Sequence, residues 1–422
     1  MLTNIWLRSY LLLAFVGGAI SVFLVDSSIV GAAYALAILI PAAIVGTTRG
    51  LVVPTPFVVG MLVLTLIASL STMLNANEAL LLIAAFKVIA IPLIAYVVGT
   101  NLLSVDKIAS ATPLLSVLSV ATLGACVWQV NQGAESLIEA GYQAGRDVRT
   151  FDGDVRAFGF FPRDNIAAQV ASVVVIIALW ACIRYPRYRY WAAIALVSCL
   201  GILLLSRNRT ALLATIAAVL VVMWRELRSR VNLRYYLVGV ILAGLAIGVQ
   251  LSLLGTANSL FERFRLWTSV VVASNPYYGD GPGSAGVTAM TTLAGGGTIS
   301  NPGDNYFVTA GAQFGAIGVG LVVALIYWLF TRSLLLDLRD SCAATLSIAL
   351  TVFFGLSLIT NNTFEEIPTA PLIFLFMGGL HSALMLGGQS ASRRGRTVEV
   401  PAASKFGIRF LQPLTSDFPR MG

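Results

Sequence analysis

Apolar runs about as long as a membrane-spanning helix recur through most of this chain. A helix needs roughly 17 to 25 residues to cross the hydrocarbon core of a bilayer, whereas a membrane β-strand needs about half as many and alternates polar with apolar residues. Of the 422 residues, 58% are hydrophobic and 11% are charged, which is far less charge than a soluble domain carries. The sequence therefore predicts an all-α polytopic membrane protein.

Hydropathy divides the chain into about twelve transmembrane helices that form a single domain over residues 1–391. Two polar segments, 131–163 and 255–304, interrupt the helices, and the second is a large loop between helices nine and ten. A basic tail follows at 392–422. The expected spans are 10–25, 28–47, 55–73, 79–99, 113–130, 164–183, 190–205, 210–224, 235–254, 305–331, 341–360 and 368–388.

The basic residues favour one orientation in the membrane. If the N-terminus lies in the cytoplasm, 18 of the 27 lysines and arginines fall at the inner face, as the positive-inside rule expects. Both termini then lie in the cytoplasm, and both polar segments lie on the outer side. Because the basic excess is spread over several short loops, a nucleic-acid-binding surface is excluded.

All eight basic residues assigned to the outer side are arginines, and none is lysine. Two of them, Arg207 and Arg209, occupy a short turn between two apolar runs, where orientation gives no reason for a positive charge. A guanidinium group matches a pair of phosphate oxygens better than an ammonium group does. The pattern favours a phosphorylated ligand presented from the bilayer, and the alternative is that these arginines pair with outer acids. The eight are Arg146, Arg149, Arg156, Arg163, Arg207, Arg209, Arg263 and Arg265.

The histidine and cysteine residues form no metal-binding pattern. His381 is the single histidine, and Cys126, Cys182, Cys199 and Cys342 are scattered singly in or beside apolar runs. A structural or catalytic metal site needs several such ligands at short spacings. The cysteines are expected to be small buried hydrophobes, and we expect neither a metal nor a cofactor.

Carboxylates lie at two predicted helix ends on the outer side. Asp304 and Asn305 open the predicted tenth helix, and Glu365 and Glu366 lie between the last two helices. A carboxylate in a partly dry site can accept the proton of a hydroxyl group. Asp304 is therefore the candidate base, and the two glutamates compete with it. The alternative for Asp304 is that it caps the helix.

Glycines punctuate the second polar segment and the helix that follows it. In "NPYYGDGPG", glycines spaced by two residues predict a tight loop whose backbone amides can approach an anion, and the alternative is a flexible linker. In the next helix, small residues on one face predict close packing against another helix. These are the glycines at 311, 315, 318 and 320.

Three short motifs in the C-terminal two-thirds of the chain share an order and an outer placement. "NRTALLAT" contains Arg209, "RFRLW" with "NPYYGDGPG" contains Arg263, Trp267 and the spaced glycines, and "DNYFVTAGAQFGAIGVG" opens with Asp304 and Asn305. Together they resemble the Ser-Arg-small-Ala, Arg-x-x-x-Trp, Asn-Pro-x-x-Gly-x-Gly-x-Gly and Asp-Asn motifs of the bacterial O-antigen ligases and O-antigen or exopolysaccharide polymerases.

The resemblance implies an integral membrane glycosyltransferase that transfers or polymerises undecaprenyl-pyrophosphate-linked oligosaccharide repeat units. It would act at the periplasmic face of the bacterial inner membrane, without a metal, on an acceptor glycan or lipid A core. Ligases of this family are typified by a histidine where this chain has Asp304. The polymerase branch is therefore favoured, and an O-antigen ligase is the alternative. A chain-length regulator is a further expected partner.

A flippase or other transporter of lipid-linked sugars is the alternative from a different class. Such a protein should show inverted repeats and ionisable residues near the middle of the bilayer. The sequence shows no two-fold repeat, and only Lys87 and His381 are expected at depth. Polar residues gather instead at one membrane face, which favours chemistry at that face.

The expected chemistry assigns roles to individual residues. Arg209 and Arg263 stabilise the charge on the departing pyrophosphate, and Asp304 orients or deprotonates the acceptor hydroxyl group. No second carboxylate is assigned as a nucleophile, so a single inverting displacement is expected. Tyr277 could stack on a sugar face, with anchoring at the membrane interface as the alternative. Further substrate contacts are predicted at Arg163, Arg207, Arg265, Tyr277, Gly281, Gly283, Asn305, Glu365 and Glu366.

Overall fold

The computed structural model describes residues 2–23, 27–75, 79–142, 148–151, 153–227, 256–286, 305–394 and 408–410. These residues are predominantly helical. Within them, six helices are long and apolar enough to cross a membrane, which confirms an all-α architecture with several potential membrane spans. The expected span over 235–254 lies outside the described residues, so the full count of twelve stays a prediction.

The helices, numbered in chain order, follow most of the apolar runs. They are α1 (Leu2–Phe23), α2 (Ser27–Arg49), α3 (Thr55–Leu74), α4 (Ala79–Leu102), α5 (Val105–Ser110), α6 (Thr112–Glu139), α7 (Asp164–Arg184), α8 (Arg189–Ser206), α9 (Arg209–Leu227), α10 (Thr256–Ala273), α11 (Tyr306–Asp337), α12 (Ser341–Thr360) and α13 (Thr369–Arg394). Two short 3₁₀ helices are Pro186–Tyr188 and Thr363–Glu365. The strands form two small pairs, with β1 (Leu51–Val53) parallel to β4 (Ile408–Phe410) and β2 (Thr150–Phe151) antiparallel to β3 (Asp154–Val155).

Both predicted polar segments contain regular structure. α6 continues past its apolar part to Glu139, with a break at Gly133 (φ 79°, ψ 171°), and the β2–β3 hairpin follows it. α10 fills the first part of the second segment. Hydropathy does not reveal such elements, because it measures how readily side chains leave water and not whether a polar stretch is helical.

α7 lies at the centre of the bundle. Between Ile166 and Ala181 its residues are mostly apolar, and almost all of them are buried. A helix without a polar face lies in a protein core or in lipid, and α7 packs against α8, α9 and α12. α3 is the opposite case, with Leu66 and Met73 respectively 71% and 80% exposed. Its exposed apolar face is suited to contact with lipid.

α4 and α13 cross so closely that glycines replace side chains at the contact. A Cβ atom at Gly99 would overlap the carbonyl oxygen of Leu375, and one at Gly378 would overlap that of Tyr96. Small residues at a crossing let two helices approach and gain packing contacts in lipid. Glycines therefore allow α4 and α13 to pack closely against each other.

The small-residue packing face predicted for α11 is wrong. The atoms nearest to a Cβ built at Gly311 or Gly318 belong to α11 itself, and those nearest to Gly315 belong to a loop. Gly320 faces open space. The spacing of these glycines resembles a packing motif, but one of them instead breaks the helix.

Gly378→Val is expected to destabilise the protein by about 3 kcal/mol or more, because the added side chain overlaps a backbone carbonyl that cannot rotate away. The measurement is the midpoint of thermal unfolding of the purified protein in detergent. Gly124→Val on α6 is the matched control, since a Cβ there meets nothing within 4 Å. Equal unfolding midpoints for the two variants would contradict the close crossing of α4 and α13.

A buried polar network joins α13 to three other helices. His381 Nδ1 lies 2.7 Å from Tyr96 Oη on α4, and His381 Nε2 lies 2.8 Å from Ser347 Oγ on α12. The hydroxyl of Ser347 is in turn 2.6 Å from that of Ser333 on α11. Because buried polar groups need partners, the network fixes how these four helices face one another. His381 thus lies inside the bundle, among helices and not at their ends.

Candidate functional site

Hydrogen bonds bring several helix ends together at one end of the bundle, which we call the site end. α7, α9, α11 and α13 begin there, and α8 and α12 end there. The connection between α12 and α13 also lies there. The residues predicted for function that the structure brings to this end are Arg163, Arg207, Arg209, Asn305, Glu365 and Glu366.

Residues 361–366, which we call the hub turn, contact the neighbouring helix starts through side-chain hydrogen bonds. Asn361 Nδ2 donates to Thr210 Oγ1 in the first turn of α9 at 2.9 Å. Asn362 Oδ1 accepts from Thr309 Oγ1 in the first turn of α11, also at 2.9 Å. The hub turn therefore holds the starts of α9 and α11 against the end of α12.

The two glutamates of the hub turn are buried and face different neighbours. Glu365 Oε1 accepts a 3.1 Å hydrogen bond from Gln313 Nε2 on α11, and the same amide donates to Ala285 O at 2.6 Å. Glu366 Oε1 accepts from Asn165 Nδ2 in the first turn of α7. The exposed fractions of the two glutamates are 5% and 4%. Each carboxylate is thus held by an amide group, one toward α11 and the other toward α7.

Ion pairs with nearby acids hold three of the outer arginines. Arg207, the left-handed C-cap of α8 (φ 51°), pairs with Asp154 of β3 at 2.5 Å. Asp164, buried in the first turn of α7, lies 3.5 Å from a guanidinium nitrogen of Arg156 and 3.9 Å from one of Arg149. For these three arginines the structure supports the alternative of pairing with outer acids. The substrate contact predicted for Arg207 therefore competes with an existing ion pair.

Arg209 and Arg163 stand at the starts of two helices. Arg209 is the first residue of α9, and the preceding Asn208 accepts the backbone N–H of Ala211 at 3.0 Å through Oδ1. Arg163 occupies the N-cap position of α7. Both arginines are half-buried. The unpaired N–H groups of a helix start add positive potential, so both guanidinium groups lie in regions that favour an anion.

Arg263 and Arg265 lie on α10. Arg263 is half-buried, whereas Arg265 is exposed. α10 packs against α11, the helix whose first turn contacts the hub turn. The structure therefore joins α10 to the site end through α11.

The loop after α10, residues 275–286, fills a break in α11, and we call it the wedge loop. α11 is interrupted at Gly315, where φ is 64° and ψ is −159°. Backbone groups that the break leaves without helical partners bond to the loop, so the flexible-linker alternative is wrong for these residues. The bonds are Asp280 N–H to Ala312 O (2.7 Å), Gly281 N–H to Gln313 O (3.2 Å) and Ala316 N–H to Pro276 O (2.8 Å).

Glycines allow the wedge loop to approach α11. A Cβ atom at Gly279 would overlap the backbone of α11, and one at Gly315 would overlap the backbone of Tyr277. The amide of Gly281 donates within the protein, so the predicted substrate contact of Gly281 has lost the donor on which it was based. Gly283 is buried with φ 76°, and the side chain of Tyr277 is 75% exposed.

Asn305 caps the start of α11. Its Oδ1 accepts the backbone N–H groups of Phe307 and Val308 at 2.9 and 3.3 Å. Asn305 thus fills the capping role that was the alternative for Asp304. Asp304 lies outside the described residues, so its expected role as a base stays a prediction.

An apolar groove of about 150 Å³ runs along α11 between α3 and α4. Its walls reach from Phe57 and Trp328 at one end to Tyr306 and Phe364 at the site end. The rings of Tyr306 and Phe364 stack with centroids 5.2 Å apart. Because Phe364 directly precedes Glu365, the groove ends beside the hub turn. Nothing in the sequence marks this groove, since its walls come from residues far apart in the chain.

Three amide residues at the site end were not among the predicted site residues. They are Asn165, Gln313 and Asn362, all of which contact or belong to the hub turn. The sequence feature that could have identified them is an amide side chain in or beside an apolar run. Such a side chain is costly within a membrane unless it has a hydrogen-bond partner. The predicted outer residue Arg146 lies outside the described residues.

Within the described ranges, no group of three or more histidine, cysteine, aspartate and glutamate side chains is arranged to hold a metal ion. Cys126 and Cys199 are buried, as expected of small hydrophobes, whereas Cys182 and Cys342 are half-buried. All four are free thiols.

Comparison with known proteins yields no assignment: no protein-family model matches the chain, and no curated protein matches it. Function is therefore inferred from the site end itself. Its three parts are the hub turn, the arginines at helix starts and the apolar groove that ends beside them.

Proposed function

We propose that this protein is an integral membrane glycosyltransferase that polymerises undecaprenyl-pyrophosphate-linked oligosaccharide repeat units. The observation that carries the proposal is the apolar groove that ends beside buried carboxylates and arginine-bearing helix starts. A polyprenyl diphosphate sugar has the same order of parts: a long hydrocarbon tail, two phosphate groups and a polar glycan. The groove and the site end together offer each part a matching surface.

The groove suits the hydrocarbon tail in its chemistry. Its described lining is almost wholly aliphatic and aromatic. Tyr306 and Trp328 line opposite ends of its wall on α11. A polyprenyl chain lying in the groove would bring its diphosphate to the site end.

The arginines suit the diphosphate. A guanidinium fork binds two phosphate oxygens at once, and donors aimed at a group that gains negative charge lower the barrier to its departure. Arg209 and Arg163 lie at helix starts of the site end, and Arg263 lies on α10 beside α11. In the proposed site, Arg209 and Arg263 clamp the pyrophosphate, with Arg163 and Arg265 as further contacts.

The distribution of basic residues supports a periplasmic position for the site end in a bacterial inner membrane. The opposite end of α7 and α8 carries a basic cluster, Arg184, Arg187 and Arg189. Positive residues favour the cytoplasmic side of a membrane. In the proposed topology both termini are cytoplasmic, and the donor is presented from the outer leaflet.

The reaction in this site is a single inverting displacement. The hydroxyl oxygen of the acceptor sugar attacks the anomeric carbon of the donor, the bond from that carbon to the pyrophosphate oxygen breaks, and undecaprenyl pyrophosphate leaves. Asp304 receives the hydroxyl proton as general base. Because the diphosphate is a good leaving group once its charge is stabilised, the step needs no protonating acid.

The experiment is incubation of the purified protein with a defined undecaprenyl pyrophosphate oligosaccharide, followed by separation of the products by chain length. We expect a ladder of products that differ by one repeat unit. Transfer only when lipid A core is added would indicate a ligase. Movement of the substrate across vesicle membranes without any lengthening would indicate a flippase and overturn the proposal.

Asp304→Asn is expected to lower the turnover of chain lengthening by about 100-fold or more, because the variant cannot accept the hydroxyl proton. Binding of the lipid-linked donor should change little, since Asp304 is placed on the acceptor side of the reaction. Asp280→Asn in the wedge loop is the control for loss of a carboxylate, because the new amide oxygen can still accept the N–H of Asn275. Unchanged turnover in Asp304→Asn would show that this residue is not the base.

A further inference from the structure

The hub turn contacts the starts of α7, α9 and α11 and, through Gln313, the wedge loop. Asn361 bonds next to Arg209, Asn362 bonds to the first turn of α11, and Glu365 bonds to Gln313, which also holds the wedge loop. Glu366 bonds to Asn165, two residues after Arg163. Four of the six residues in this turn therefore each have a separate structural neighbour.

We propose that Glu365 and Glu366 are positioning residues that hold the arginine-bearing start of α7 and the wedge loop at fixed separations from the start of α9, which Asn361 of the same turn contacts. The inference rests on the proposed function, because the separations matter for gripping the pyrophosphate of the donor. It replaces the prediction that the two glutamates contact the substrate. Neither glutamate touches the reacting atoms in this account.

Burial and bonding distinguish a positioning role from a substrate contact. The two carboxylates are about 95% buried and each accepts a hydrogen bond from a protein amide. A charged oxygen bonded to a buried amide is a strong, directional contact. Removing one partner leaves the other buried without its hydrogen bond, and the packed elements must shift to recover it. A shift of about 1 Å at a catalytic group can cost on the order of 100-fold in rate.

Exchanging the amide of Asn165 with the carboxylate of Glu366 distinguishes a positioning role from a chemical role. In Glu366→Gln the new amide oxygen can still accept from Asn165, so we expect turnover within about threefold of the unchanged protein. In Asn165→Asp two carboxylates face each other, and we expect a loss on the order of 100-fold. In the double variant Asn165→Asp/Glu366→Gln the amide and the carboxylate have exchanged sides, and we expect turnover to return to within about tenfold.

The charged and titratable groups near this pair belong to several elements. On the hub turn and at the ends of the elements that meet there, they include Glu365, Arg163, Asp164 with its ion-pair partners Arg149 and Arg156, Arg207, Arg209 and Tyr306. Each is present in all three variants, and the double variant keeps the net charge of the unchanged protein, so its recovery reports on the orientation of the amide–carboxylate contact. Turnover is expressed per folded protein, measured by size-exclusion chromatography, so that a loss of folded material does not imitate a loss of rate.

A second readout is the dissociation constant of undecaprenyl pyrophosphate, which reports on the arginine clamp without any sugar transfer. Positioning predicts weaker binding in Asn165→Asp and recovery in the double variant. If Glu366→Gln alone loses about 100-fold or more in turnover, the residue acts chemically and the inference is wrong. If Asn165→Asp keeps full turnover and full binding, the inference is also wrong.

The two readouts separate failure of the inference from failure of the proposed function. If the unchanged protein lengthens no chains, but undecaprenyl pyrophosphate binds more weakly to Asn165→Asp and binding recovers in the double variant, the function is wrong and the positioning role stands. If it lengthens chains while the variants show no such loss and recovery, the function stands and the positioning role is overturned.

Discussion

Arg209→Lys is expected to lower the turnover of chain lengthening by about 100-fold while the protein stays folded. Lysine keeps the positive charge but replaces a planar fork by a single ammonium group, which cannot bind two phosphate oxygens in fixed geometry. Arg209 is suited to this test because its neighbours are anchored independently of it. Asn208 caps α9, and Thr210 bonds to Asn361 of the hub turn.

Arg207→Lys is the matched control for this prediction. Arg207 is two residues away on the same turn, and its guanidinium group pairs with Asp154. An exposed ion pair tolerates lysine well, so turnover should fall much less than in Arg209→Lys. The measurement is the initial rate of product formation at saturating lipid-linked donor. Turnover of Arg209→Lys within about threefold of the unchanged protein would remove the proposed clamp.

Gly315→Val is expected to displace the wedge loop and to abolish most activity, because the native conformation has no room for a side chain. A φ of 64° with ψ of −159° is almost confined to glycine, and a Cβ atom there would overlap the backbone of Tyr277. We expect a loss of about 3 kcal/mol or more in the free energy of unfolding, from strain and the broken loop contacts together.

The control for Gly315→Val lies on the same helix. A Cβ at Gly320 meets nothing within 4 Å, so Gly320→Val should fold and act nearly as the unchanged protein does. Limited proteolysis of the wedge loop and the midpoint of thermal unfolding report the effect of each variant. Equal behaviour of the two variants would mean that the break in α11 is not held in the described conformation.

Helices were predictable from the sequence wherever a long apolar run met a clear boundary. α7 and α12 nearly coincide with the spans expected over 164–183 and 341–360. Transfer of apolar side chains out of water is a property of each run on its own, so no knowledge of the neighbours is needed. The placement of Arg163, Arg209 and Glu366 at one end of the bundle was also predictable. Successive helices run in opposite directions, so every second connection lies on the same side.

The connections between distant segments were not predictable. The break at Gly315 depends on hydrogen bonds to residues 32 to 40 positions earlier, and the glycine spacing around it indicated helix packing instead. Two other contacts also join residues that are far apart in the sequence: the ion pair between Arg207 and Asp154, and the hydrogen bond between Asn165 and Glu366. Such contacts depend on the relative placement of whole elements, which hydropathy and motif spacing do not contain.

The most direct measurement of the central claim is photolabelling of the protein by a polyprenyl diphosphate that carries a photoreactive group on its tail, followed by mapping of the labelled peptides. The proposed site predicts labelling of α3 and α11 along the groove, competition by unlabelled undecaprenyl pyrophosphate and weaker labelling in Arg209→Lys. Labelling confined to other helices, or labelling of the groove that undecaprenyl pyrophosphate does not displace, would contradict it.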